Sequence, residues 1–202
     1  MKKMSDNELK NILVHSFTVE SESILATKDV IDIDAYKKAV DVLAKARRIA
    51  TSGCGHSGIA CMHFAHSLCC IERPARFISP AEAIHGGSGF LQKDDVIVLA
   101  SRGGETDELF PIIDICRAKG AVIISVTENL LSRLAKSSDI VLPMKVTMEA
   151  DKYNCQGTSS FVALSAIFDA LQSAIIEVTD YKNENFALTH PGGAVGKRLN
   201  KQ

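Results

Sequence analysis

Two short runs, Val96-Ile97-Val98-Leu99-Ala100 and Val122-Ile123-Ile124-Ser125-Val126, are almost unbroken in apolar residues. A strand with one wet face alternates apolar and polar residues, so a run without alternation is covered on both faces. Such strands belong to parallel sheets, whose crossovers lay helices across the faces. Strands are predicted over 48–52, 74–78, 95–101, 121–126 and 139–144, with helices over 57–70, 106–118 and 129–136 between them. A long helix, 157–177, follows the last strand, and a compact Pro-Gly-Gly segment sits in the tail 184–199. Ahead of the first strand, Leu9, Ile12, Leu13, Phe17 and Ile24-Leu25 predict an amphipathic helix over 5–26, and a second covers 34–46. The expected fold class is α/β: a doubly wound, five-stranded parallel sheet flanked by helices, a flavodoxin-like three-layer sandwich. The chain reads as one domain over 1–202, with N-terminal helices (1–46), a core (47–180) and a tail (181–202).

Composition narrows the partners. A formal net charge of −1 suggests neither nucleic acid nor an anionic membrane surface. No predicted run approaches the ~20 apolar residues of a membrane span, and Met1-Lys2-Lys3-Met4 leads into polar residues rather than an apolar signal segment. The expected compartment is the cytoplasm, with the six cysteines as reduced thiols. His63 and His66, three apart on a helix near Cys61 and Cys69-Cys70, have a spacing that suits a metal, but no further partner is fixed, and packed or half-exposed helix residues are the plainer reading.

In a doubly wound sheet ligands bind beyond the carboxyl ends of the strands, and the unusual residues fall there. After the first strand comes Gly53-Cys54-Gly55-His56-Ser57-Gly58, which fits G-x-G-x-x-G. Glycines let the backbone turn and bring N–H groups to an anion, and the helix that follows adds its positive dipole end. A dinucleotide site also needs an acid for the ribose about 20 residues on; the next strand ends in Ser79-Pro80 without one. The loop is therefore expected to hold one small phosphate, as on a phosphosugar. The later strand ends carry Ser79 to Gly89, Ser101 to Glu108, and Glu149-Ala150-Asp151.

Together these segments resemble the sugar isomerase (SIS) domain, most closely arabinose-5-phosphate isomerases. The family pattern G-x-G-K-S-G aligns with Gly53 to Gly58, and H-P-A-E-A-x-H-G-D-x-G with Ser79 to Gly89. S-x-S-G-E-[ST]-x-E aligns with Ser101 to Glu108, and E-A-C-P…T-[ST]-[ST] with Glu149 to Lys152 and Thr158 to Ser160. F-A-L-[ST]-H-P-G-G-x-[LV]-G-[RK]-[RK]-L is nearly intact as Phe186 to Leu199. Family members typically carry a paired regulatory (CBS) module after this point; with Gln202 as its last residue, this chain is expected to lack it.

The resemblance implies an SIS-type fold and conversion of an aldose phosphate to a ketose phosphate through an enediol(ate), without a metal or redox cofactor. It implies a catalytic set of His56, Glu108, Glu149 and His190, with Glu108 or Glu149 as the C–H base and His190 shuttling protons or opening the sugar ring. Substrate and phosphate contacts are expected from Ser52, Gly53, Gly55, Ser57, His85, Ser101, Gly104, Glu105 and Thr106. A homotetramer, a dimer of dimers, is implied too, with His85 or His190 serving an adjacent subunit and the tail completing the site. Four changes fall at the site: His56 replaces lysine, Ser79 histidine, Gly87 aspartate and Gly103 serine. The departures suggest another sugar, or weak activity on arabinose 5-phosphate.

Plainer readings exist. The glycine loop could be a tight turn without a ligand, Glu108 an ordinary acid in a helix's first turn, Glu149 a solvated loop acid, and His190 a turn cap. Three rivals follow: an isomerase of another pentose or hexose phosphate, a non-catalytic phosphosugar sensor, and a dinucleotide-dependent oxidoreductase.

Overall fold

A computed structural model describes residues 3–200. Its centre is a five-stranded parallel sheet of order β2-β1-β3-β4-β5, built from β1 (Ile49–Gly53), β2 (Ala75–Phe77), β3 (Val96–Ala100), β4 (Val122–Thr127) and β5 (Ile140–Pro143). Every neighbouring pair is parallel; β1 and β3 run in register from Ile49 opposite Val96 to Gly53 opposite Ala100. β3 is buried along its whole length and β4 at every residue but its first, as the absence of alternation predicts; β1 is buried throughout as well.

Alternate strand residues feed two cores. On one face Ile49, Val98, Ile124 and Leu142 pack under α2 (Ile33–Lys45), α3 (Gly55–Cys70) and α7 (Ser159–Thr179). On the other, Ile97, Leu99 and Ile123 pack against α4 (Pro80–Ile84), α5 (Phe110–Lys119) and α6 (Arg133–Lys136). The result is the doubly wound three-layer sandwich expected. α7 is long and apolar enough to span a membrane by length and composition, yet Leu164, Ile167, Phe168, Leu171 and Ile175 lie in the core.

Several elements differ from expectation. α6 is a single turn because residues 129–132 form a turn of their own: Asn129 Oδ1 accepts from the Leu131 N–H, and Ser132 Oγ caps the helix at Ala135 N–H. A 3-10 turn, Asp107–Leu109, precedes α5. The segment after β2 holds α4 and a 3-10 turn, Gly87–Phe90. The tail forms two short helices, α8 (Asn183–Thr189) and α9 (Gly193–Leu199).

The N-terminal helix, α1 (Asp6–Asp29), opens with a capping box of Ser5 and Glu8. It buries Val19, Ser23 and Thr27, and the two polar residues bond to Thr147 and to the Lys145 carbonyl. Its apolar stripe, including Leu9, Ile12, Leu13 and Phe17, is exposed, Phe17 at 75%.

Candidate functional site

The strand order reverses between β1 and β3, and the loops leaving them part there to form a crevice. β1 hands the chain to α3 through the glycine loop. Gly55 sits at φ 54°, in the left-handed region where a side chain is strained. Gly58 lies so close to β1 that a Cβ would come within 2.5 Å of the Gly53 carbonyl oxygen. The first bond of α3 runs from Gly58 N–H to the Cys54 carbonyl, so the N–H groups of Gly55, His56 and Ser57 precede it. These N–H groups and the helix dipole suit an anion.

An open cavity of about 390 Å³ adjoins this loop, lined by Gly53, Cys54, Gly58, Phe77, Pro80 and Glu108. Glu108 is exposed, and no hydrogen bond ties its carboxylate among the described residues. Burial and then the Glu108 charge push the Cys54 thiol up, so that thiol is not an activated nucleophile.

The loop after β3 is shaped by its own side chains. Ser101 Oγ accepts from the Gly104 N–H at 3.0 Å and shares a hydrogen bond with Thr106 Oγ1 at 2.8 Å. Gly104 has φ 69°, and a Cβ there would lie 2.1 Å from Ser132 Oγ. Glu105 turns away: its carboxylate accepts from the Arg133 N–H at the start of α6.

Glu149 is not a solvated loop acid; it is 3% exposed. Oε1 accepts from Arg102 Nη1 at 2.8 Å, and Oε2 accepts from the Thr158 hydroxyl and the Ser160 N–H, each at 3.2 Å. Burial acts to raise this carboxyl, but donation from Ser160 and Thr158 and the Arg102 charge outweigh it and hold the group below its ordinary 4.5. Glu128, which accepts from Arg102 Nε at 2.8 Å, is likewise lowered against burial by Arg102, the Val146 N–H and Lys145.

The histidines lie apart. His56 is exposed but supported, with its ring against Gly157 and edge-on to Phe161 at 6.3 Å between centroids. His85 is exposed at the end of α4. His190 stacks on Phe186 at 3.8 Å, with Nδ1 3.2 Å from the Phe186 carbonyl oxygen. The tail approaches the body at the other end of α3: Tyr181 Oη donates to the Cys70 carbonyl, and Asn185 Nδ2 to Glu72. The 16-residue α3 separates that end from the glycine loop by about 24 Å. His190 and the glycine loop of the same chain are therefore not neighbours.

Ser52 leaves the expected contact set. It is fully buried and donates its hydroxyl to the Ile78 carbonyl at 2.7 Å, which ties β1 to the segment after β2. Gly53, Gly55, Ser57, Ser101, Gly104 and Thr106 remain at the two loops. The residues that sequence reasoning passed over are Arg102 and Glu128; both stand just past strand ends, the one signal that could have marked them. Gly87 has a steric reason: a Cβ there would sit 2.6 Å from the Glu82 carbonyl oxygen. His63 and His66 find no metal set: no group of three or more ligand-type residues converges among the described residues.

A parallel sheet with a glycine loop suited to an anion, and an exposed carboxylate beside it at the switch point, defines a doubly wound α/β domain. Residues 42–174 match the SIS domain model, and the chain belongs to the SIS domain family. It is 36% identical over 167 residues to arabinose 5-phosphate isomerase KdsD of Pseudomonas aeruginosa, covering 82% of this chain and 51% of that one. The chain spans about half the length of the curated relatives it matches. A Listeria monocytogenes protein assigned as a sugar-phosphate isomerase superposes with a TM-score of 0.91 at 38% identity, covering 94% of this chain and 100% of that chain. The Escherichia coli CFT073 protein c3406, in complex with arabinose 5-phosphate, gives 0.88 at 28% identity, covering 93% and 100%.

Proposed function

We propose that this chain is a sugar-phosphate isomerase interconverting an aldose phosphate and its ketose, most like D-arabinose 5-phosphate and D-ribulose 5-phosphate. The observation that carries this reading is Glu108: an unpaired carboxylate lining the same cavity as the glycine loop. The names of the relatives, and the arabinose 5-phosphate bound by c3406, support the substrate class.

In this mechanism the N–H groups of Gly55, His56 and Ser57 hold the phosphate, joined by the His56 ring and the Ser101–Thr106 loop. Glu108 removes the proton on C2 of the open-chain aldose. The C–H electron pair becomes the C1–C2 double bond, and O1 takes the negative charge. His190 carries the O2 proton to O1, and Glu108 returns its proton to C1, leaving the carbonyl at C2. The steps move protons only and need no cofactor. Glu149, buried and ionised, is assigned to holding the site rather than to taking the C2 proton.

The working form we infer is a cytoplasmic homotetramer, a dimer of dimers. Two features support assembly: the exposed stripe of α1, and a tail whose His190 lies far from its own glycine loop. His190, and His85 from the exposed end of α4, then serve an adjacent copy.

NMR of a panel of pentose and hexose phosphates incubated with the protein in D₂O tests the reading. Deuterium beside the carbonyl, together with ketose formation, identifies the reaction and the sugar. A panel in which no sugar exchanges while some raise the melting temperature overturns catalysis in favour of a sensor.

A further inference from the structure

We propose that Arg102 is a positioning residue that couples the loop after β3 to the loop after β5 by clamping Glu149, so that substrate binding at one loop depends on the other. The inference rests on the isomerase reading above only for where the substrate sits. Arg102 follows Ser101, at the start of the loop expected to meet the phosphate. Its main chain is fixed first: its carbonyl accepts from the Glu128 N–H and from the Thr127 hydroxyl, each at 3.0 Å. Its side chain then spans two carboxylates, with Nε on Glu128 and Nη1 on Glu149, each at 2.8 Å.

The far end of the clamp is equally tied. Glu149 receives Thr158 and Ser160 at the start of α7, and its own N–H donates to Asn154 Oδ1. His56 packs on Gly157 and Phe161 of the same stretch. One guanidinium thus links the Ser101–Thr106 loop to the surface that supports His56. The charges facing it are Glu128 and Glu149, with Lys145 3.4 Å from Glu128. Without the guanidinium two carboxylates are left facing one another around a single lysine, one of them buried; a buried charge that loses its partner is strongly destabilised.

The test uses Arg102→Gln, Arg102→Lys and the double variant Arg102→Gln/Glu149→Gln in the full chain, with glutamate carboxyls ¹³C-labelled and Glu149 assigned through Glu149→Gln. In Arg102→Gln the Glu149 titration midpoint is expected to rise by about one pH unit. The KM for arabinose 5-phosphate, or the concentration needed to raise the melting temperature, is expected to rise about ten-fold, with kcat changed less. Arg102→Lys is expected to recover part of both. The double variant is expected to be less impaired than the two single effects added, because no unpaired charge remains. An unchanged midpoint, or a midpoint that moves while ligand binding stays as in the wild type, overturns the coupling. If the wild type turns over no sugar, the isomerase reading fails alone: the midpoint and the melting-temperature response still decide the role of Arg102.

Discussion

Two carboxylates that look alike in sequence occupy opposite surroundings. Glu108 stands exposed beside the glycine loop, while Glu149 is buried among Arg102, Thr158 and Ser160. A proton carrier must be reachable and free to change charge, and Glu108 is the one that meets both needs. Glu108→Gln is expected to lower kcat about 10²–10⁴-fold while sugar phosphate still raises the melting temperature; retained turnover in steady-state assays would reassign the base. Glu149 and Glu128 supply a pH signature instead. Both are held below 4.5 in the fold, so the folded protein binds fewer protons than the unfolded chain as acid is added. Their stabilisation is complete above about pH 4.5 and is lost as the pH falls through the lowered folded values. Urea unfolding across pH 7 to 3 should show this fall, and a shallower one in Glu149→Gln.

At the scale of elements, the centre of the sheet was legible because β3 and β4 are almost unbroken in apolar residues, and a strand covered on both faces leaves little ambiguity. The glycine loop was legible because two of its positions allow no side chain without strain or collision. α4 escapes a periodicity argument for its length alone, since five residues carry no repeat; its signal is Ser79 capping Glu82 ahead of Pro80. The Arg102 clamp was not legible, because pairing across 26 and 47 residues is set by tertiary packing rather than spacing. Nor could sequence tell that the Ser52 hydroxyl faces the Ile78 carbonyl. The loop after β3 yields a prediction of its own. Gly104→Ala places a side chain at φ 69° and against Ser132, and is expected to cost about 2–3 kcal/mol in urea unfolding. Gly103→Ala, where a Cβ meets nothing within 4 Å, is the control and should change stability little.

At the scale of the whole molecule, the two ends of α3 divide the groups proposed for catalysis. The glycine loop and Glu108 lie at one end, and the tail bearing His190 meets the other. If His190 of one copy serves a neighbour, Glu108→Gln and His190→Ala chains, each inactive alone, should regain activity when unfolded and refolded together. Mixed chains that stay inactive while co-assembling by native mass spectrometry would place both groups in one subunit's site. The same assembly would cover Leu13 and Phe17 of α1, so Phe17→Glu should lower the mass seen by light scattering.

Gly87 closes a route as well as a turn. Because the Glu82 carbonyl stands where its Cβ would go, the family's aspartate cannot enter by a single codon change without displacing the end of α4. Restoring the family's version of that loop therefore calls for moving the end of α4 along with the side chain. The constraint is written in the backbone, one level below the side chains that an engineer would first think to edit.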